Sequence, residues 1–93
     1  MTVALLSLEL FLPSARSLKD KRMVLRRLKD RLGAHNVAVA EVAHQELWQR
    51  AGLAIVTVAS SDNMAEQIMT TVRDEIDRIE PGLITQSQVE YLR

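Results

Sequence analysis

Leu6, Leu8, Leu10 and Leu12 alternate with Ser7, Glu9 and Phe11, a period of two that predicts a strand with one strongly apolar face inside the run from Val3 to Leu12. Pro13 ends it, because proline brings no amide to a ladder. Ser17 then offers a hydroxyl to the free amides of a helix start, with Asp20 three positions on in the manner of a capping box. At about 100° per residue, Leu18, Val24, Leu25, Leu28 and Leu32 share one arc, which predicts an amphipathic first helix with Gly33 as a left-handed terminator. Val37 to Ala43 and Leu53 to Ala59 each alternate small and β-branched residues. They read as two antiparallel strands joined by the polar connection His44 to Arg50. Ser60, Ser61, Asp62 and Asn63 offer caps to a second helix, whose stripe is Ala65, Ile68, Met69, Val72, Ile76 and Ile79 and whose stop is Pro81 and Gly82. Val89 and Tyr91 sit at strand spacing within Leu83 to Leu92, a final, partly exposed strand.

The order βαββαβ with right-handed crossovers predicts one α+β domain over residues 1–93. Its form is ferredoxin-like: a four-stranded antiparallel sheet with both helices on one face. The other face is then uncovered, with Leu5, Phe11, Val37, Val39 and part of the third strand on it. An apolar patch of that kind marks an interaction surface, and self-association, a dimer first, is the simplest way to cover it. Phe11, Val37, Val39, Trp48 and Arg50 are the candidate interface residues.

Charge changes the picture through its distribution. Twelve basic and twelve acidic residues cancel, so no long-range field of one sign draws the chain to nucleic acid or membrane. Yet Arg16, Lys19, Lys21, Arg22, Arg26, Arg27, Lys29 and Arg31 crowd one short stretch, whereas Asp62, Glu66, Asp74, Glu75, Asp77 and Glu80 make the second helix acidic. Lys19, Arg22, Arg26 and Lys29 are spaced by three and four residues, so they form one stripe beside the apolar arc. A phosphate backbone could lie along it, held by counterion release and bidentate arginine contacts. The alternative is a solvated face neutralised by the acidic helix beside it.

Other residues carry weaker signals. Lys21 falls within the apolar arc, where it either snorkels or pairs with a strand carboxylate such as Glu41. Trp48, the one tryptophan, could close the end of the core, anchor a subunit contact or stack on a base. His44, Glu46 and Glu41 lack the spacing of known zinc sites, and His35 stands in a separate loop. No cysteine is present, which removes disulfides, thiolate metal sites and cysteine nucleophiles. The third strand lacks the stacking rings of an RNA-recognition motif, and no Gly-x-x-Gly clamp or glycine-rich phosphate loop occurs. The apolar N-terminal run is too short to span a bilayer and carries Glu9, so no membrane is expected and the cytoplasm is the expected location.

Three stretches, Ser17-Leu18-Lys19-Asp20-Lys21-Arg22, Val39-Ala40-Glu41-Val42 and Leu47-Trp48-Gln49-Arg50-Ala51, resemble the YlxP-like family of small bacterial proteins of unknown function. The resemblance covers essentially the whole chain. It implies a ferredoxin-like fold, and the family's genes are found among those for translation initiation and ribosome maturation. No activity comes with it. The expectation is a non-enzymatic accessory protein without cofactor, metal or small-molecule ligand, meeting RNA or a ribosomal partner through the first helix. The alternative is a homo-oligomeric interaction or regulatory module built on the open sheet face and the Trp48 loop.

Overall fold

The alternating leucines build the middle of a sheet. A computed structural model describes residues 1–92, and the chain runs β1 (Thr2–Phe11), α1 (Leu18–Leu32), a 3₁₀ turn (Gly33–His35), β2 (Ala38–Ala43), β3 (Arg50–Ala59), α2 (Asp62–Ile79) and β4 (Ile84–Leu92). The sheet order is β2-β3-β1-β4 with every neighbouring pair antiparallel, the ferredoxin-like arrangement. Directly opposed residues share a face, so Leu6 meets Ile55 and Val89 while Leu8 meets Leu53. Both helices cover that face, α1 through Leu25, Leu28 and Leu32, α2 through Ala65, Met69, Val72 and Ile76. Each fully buried leucine there contributes about 2–3 kcal/mol. Among the described residues, no helix is long and apolar enough to cross a membrane.

The helix starts follow the sequence. The Ser17 hydroxyl accepts the Asp20 amide at 3.0 Å. The Asp20 carboxylate accepts the Arg16 amide at 3.0 Å, one residue upstream of the position a full capping box would use. Ser61 caps α2 by accepting the Met64 amide.

Three expectations need correction. Gly33 is right-handed, with φ −56°, and α1 passes into the 3₁₀ turn; the left-handed residue is Asn36, φ 59°, a side chain that tolerates that region. The third strand starts at Arg50, three residues before Leu53, because the long β1 templates the pairs Leu10–Ala51 and Phe11–Arg50. Val37 and Val39 do not lie on the uncovered face: Val39 pairs with Ile55, and both valines pack against the core. The phase of β2 decides this. Its alanines Ala38 and Ala40 stand opposite Val56 and Ala54 and point outward, and a slip of one residue would exchange the two sets.

The uncovered face therefore has two halves. Val3, Leu5, Val56, Val58 and Leu92 make one largely apolar, with the exposed Glu90 opposite Leu5 among them, and Ser7, Glu9, Gln86 and Gln88 make the other polar. Phe11 lies beyond Glu9, at the polar end.

Candidate functional site

The seven cations of α1 take three positions. Lys21 is on the buried arc and only 1% exposed. Its Nζ donates to the carbonyls of His44 (2.8 Å), Gln45 (3.2 Å) and Arg50 (3.2 Å), and Oε2 of Glu41 stands 2.8 Å away. An ammonium has three hydrogens. The carbonyls use them, so Glu41 Oε2 is held by charge and proximity without an aligned hydrogen. Arg27 and Arg31 face α2, reaching Glu80 at 3.2 Å and Glu75 at 3.9 Å. Lys19, Arg22, Arg26 and Lys29 are exposed on the flank turned away from α2. Among the described residues, no carboxylate comes within 4.0 Å of any of the four. The acidic helix thus neutralises two arginines and leaves the predicted stripe open.

The buried Lys21 also fixes the β2–β3 loop against the start of α1. The same loop is pinned from β1's end, where the Leu12 amide donates to the Gln49 carbonyl at 2.8 Å and the Gln49 side-chain amide donates to the carbonyls of Pro13 and Ala15. Trp48 does not close the core. It is 53% exposed, Phe11 is 43% exposed, and with Leu47 and Arg50 they line an open hollow of about 430 Å³. Phe11, Trp48 and Arg50 are therefore brought together, while Val37 and Val39 lie apart on the core side.

The polar end of the open face holds a cluster that sequence reasoning missed. Oε1 of Glu9 accepts from Nε2 of His44 at 2.8 Å and from the Arg50 guanidinium at 3.0 Å. The His44 hydrogen bond above all, then the positive charge of His44 and Arg50, outweighs desolvation and holds the Glu9 carboxyl below its ordinary range. Two sheet irregularities surround it: β2 slips register between Glu41 and Ala43, and the β1–β4 ladder slips between Glu9 and Leu10. His44 follows the first in a left-handed conformation, φ 61°, which turns its ring onto Glu9. Gly52 is required beneath: a Cβ there would stand 2.7 Å from Ala43 Cβ and 3.1 Å from Glu9 Oε2. A cleft of about 490 Å³ opens over Ser7, Glu9, Gly52 and Gln88.

In this arrangement Glu9 is held as a carboxylate acceptor between two donors. Among the described residues, no hydroxyl is bonded to His44 to serve as a nucleophile. The triplet of His44, Glu46 and Glu41 is not assembled, since Glu41 turns to Lys21 and Glu46 lines the Trp48 hollow. No three potential metal ligands converge among the described residues. His35 stands in the 3₁₀ turn after α1. The one hint of the cluster was Glu9 itself, a carboxylate on the face opposite the leucines; its pairing with His44 depends on a register and a bulge that local pattern does not carry.

Solved structures share this architecture, and a relative shares part of the sequence. A relative from Bacillus subtilis (strain 168), "Uncharacterized protein YlxP", is 37% identical over 70 residues, 74% of this chain and 76% of that protein. The de novo designed protein LFR1 1, with ferredoxin fold, superimposes with a TM-score of 0.56 at 12% identity, covering 99% of this chain and 83% of its own. SnoaB, a cofactor-independent oxygenase from Streptomyces nogalater, gives a TM-score of 0.58 at 7% identity, covering 99% and 91%. At such identities the structural likeness shows the fold alone. The model of the family described as "Protein of unknown function (DUF503)" matches residues 3–89, and the chain belongs to that family.

Proposed function

We propose that this chain is a non-enzymatic RNA-binding accessory protein that holds a phosphate backbone along the outer flank of α1. The observation that carries the reading is the division of cations on one helix: Arg27 and Arg31 are paired with α2, whereas Lys19, Arg22, Arg26 and Lys29 are exposed and have no carboxylate within reach among the described residues. Unpaired cations at helical spacing bind polyanions by releasing counterions. Four phosphate contacts to a single strand give a log–log salt slope of about −3, so affinity should fall about fiftyfold between roughly 50 and 200 mM salt. Filter binding or anisotropy across a salt series measures this. Arg22→Glu with Arg26→Glu should remove binding while leaving the thermal unfolding midpoint unchanged; unchanged affinity in that variant would end the proposal. A pull-down from native lysate with and without nuclease would show whether ribosomal particles or free RNA come along.

A second reading concerns the apolar half of the open face, where Val3, Leu5, Val56, Val58 and Leu92 adjoin and Leu92 is 66% exposed. A second copy of the chain is the partner that such a self-complementary surface suits. The whole face, with strands about 4.8 Å apart and six to ten residues long, projects at most roughly 600 Å², and its apolar half about 300 Å², less than the roughly 800 Å² per partner of standard complexes, so the dimer it supports is a weak one. Light scattering on the wild type and on Val58→Glu decides it: a dimer dissociated by the charge supports the reading, and a monomeric wild type removes it.

A further inference from the structure

We infer that the hollow between Trp48 and Phe11 is a stacking platform for one unpaired base of the bound RNA, which makes single-stranded RNA a tighter ligand than duplex; this rests on the phosphate-binding reading above. Three observations carry it. The two rings are exposed on backbone that is held in place: Phe11 ends the central strand, and the loop bearing Trp48 is tied down by Lys21 and by Gln49. An aromatic pair offered to solvent on a rigid support loses little conformational freedom when a flat ligand covers it.

The charges around the hollow select its occupant. Arg50 and Glu46 are the ionisable residues of its lining and have opposite signs, so a neutral base suits it better than a phosphate. Glu9 holds the Arg50 guanidinium through one nitrogen at 3.0 Å, which orients a planar cation beside the rings without using all its donors. The phosphates have their own place. Lys21 joins this loop to the first turns of α1, where Lys19 and Arg22 begin the unpaired stripe. A strand leaving the start of the helix would turn around this loop to bring one base onto the hollow, which Phe11 places at the end of the uncovered face. Bases within a duplex are stacked on one another and cannot enter, whereas every unpaired base presents a face.

Trp48 is the chain's single tryptophan, so its fluorescence reports on this site alone. Short oligoadenylate should quench it saturably, while a matched A·U duplex and inorganic polyphosphate should bind in a salt-sensitive way without quenching. Trp48→Leu should weaken oligoadenylate binding about tenfold and leave polyphosphate affinity unchanged, and Trp48→Phe should restore most of the loss. Arg22→Glu with Arg26→Glu should weaken all three. Equal oligoadenylate affinity in wild type and Trp48→Leu, or binding without quenching, overturns the stacking platform and leaves the phosphate reading standing. No binding of any of the three polyanions overturns both. A Trp48 emission change that follows protein concentration alone, with a dimer in light scattering, assigns the hollow to a contact between copies and overturns the platform.

Discussion

Arg27 and Arg31 on one flank of α1 reach Glu80 and Glu75 across the gap to α2, whereas Arg22 and Arg26 on the opposite flank reach no carboxylate among the described residues. The two pairs are the same residue type on the same fifteen-residue helix. What separates them is the rotation of about 100° per residue and the position of α2, which lies beside one flank only. Composition gave the cancellation of charge but not its geometry: the acidic helix serves two arginines and leaves four cations to solvent. Lys21 adds a third fate, since its ammonium is enclosed beneath the loop that bears Trp48.

The sharpest way to test that division is to remove a cation from each position. Lys21→Met should cost most, about 3–5 kcal/mol, because Glu41 and three carbonyls would be left without their partner in a buried place. Replacing Glu41 by Leu in the same chain should recover part of the loss. Arg22→Met, on the open flank, should shift stability by no more than about 0.5 kcal/mol. Urea unfolding measures both, and equal effects would show that the inner and outer positions are not distinct.

A smaller effect separates the two exposed flanks. Arg27→Gln with Arg31→Gln should lower stability by up to about 1 kcal/mol, the scale of solvent-exposed pairs, and Glu75 keeps Arg78 at 2.6 Å in any case. The salt slope of RNA binding should stay where it is. Arg22→Gln with Arg26→Gln should do the reverse, reducing the slope by about 1.4 with no change in unfolding. If both double variants alter the slope alike, binding is a matter of net charge and the flank has no special role.

The strands, helices and their order were legible because each rests on local periodicity: the leucines of β1, the arcs of α1 and α2, and the caps Ser17 and Ser61. The outer stripe was legible for the same reason. Val37 and Val39 were misplaced because the face of a short alternating strand depends on its register against β3, and alternation of valine with alanine fits both phases. Glu9 with His44 was invisible because the residues are 35 apart and meet only through a bulge and a left-handed backbone. The Lys21–Glu41 pair was accessible from the helical arc, since a lysine among leucines must find a partner or leave the core.

The smallest predicted effect extends the comparison to the open sheet face, where Arg50 is paired by Glu9 much as Arg27 is paired by Glu80. Glu9 differs in having His44 as a second donor on the same oxygen, and its carboxyl is held below the ordinary range chiefly by that hydrogen bond. A group whose folded pKa is depressed adds stability that is fully present above its unfolded pKa and disappears as pH falls through the folded one. The unfolded value for glutamate is about 4.3. The difference in thermal midpoint between wild type and Glu9→Gln should therefore be full above about pH 4.3 as far as the Glu9 carboxyl is concerned, then narrow below it as Glu9 takes up a proton in the folded chain. Equal midpoints at neutral pH would mean that Glu9 acts through shape alone, since the amide of Gln fills the same space over Gly52, and that Arg50 has no electrostatic partner on this face. Arg50 would then be freer than Arg27, and the line between paired and open cations would no longer coincide with the two sides of the molecule.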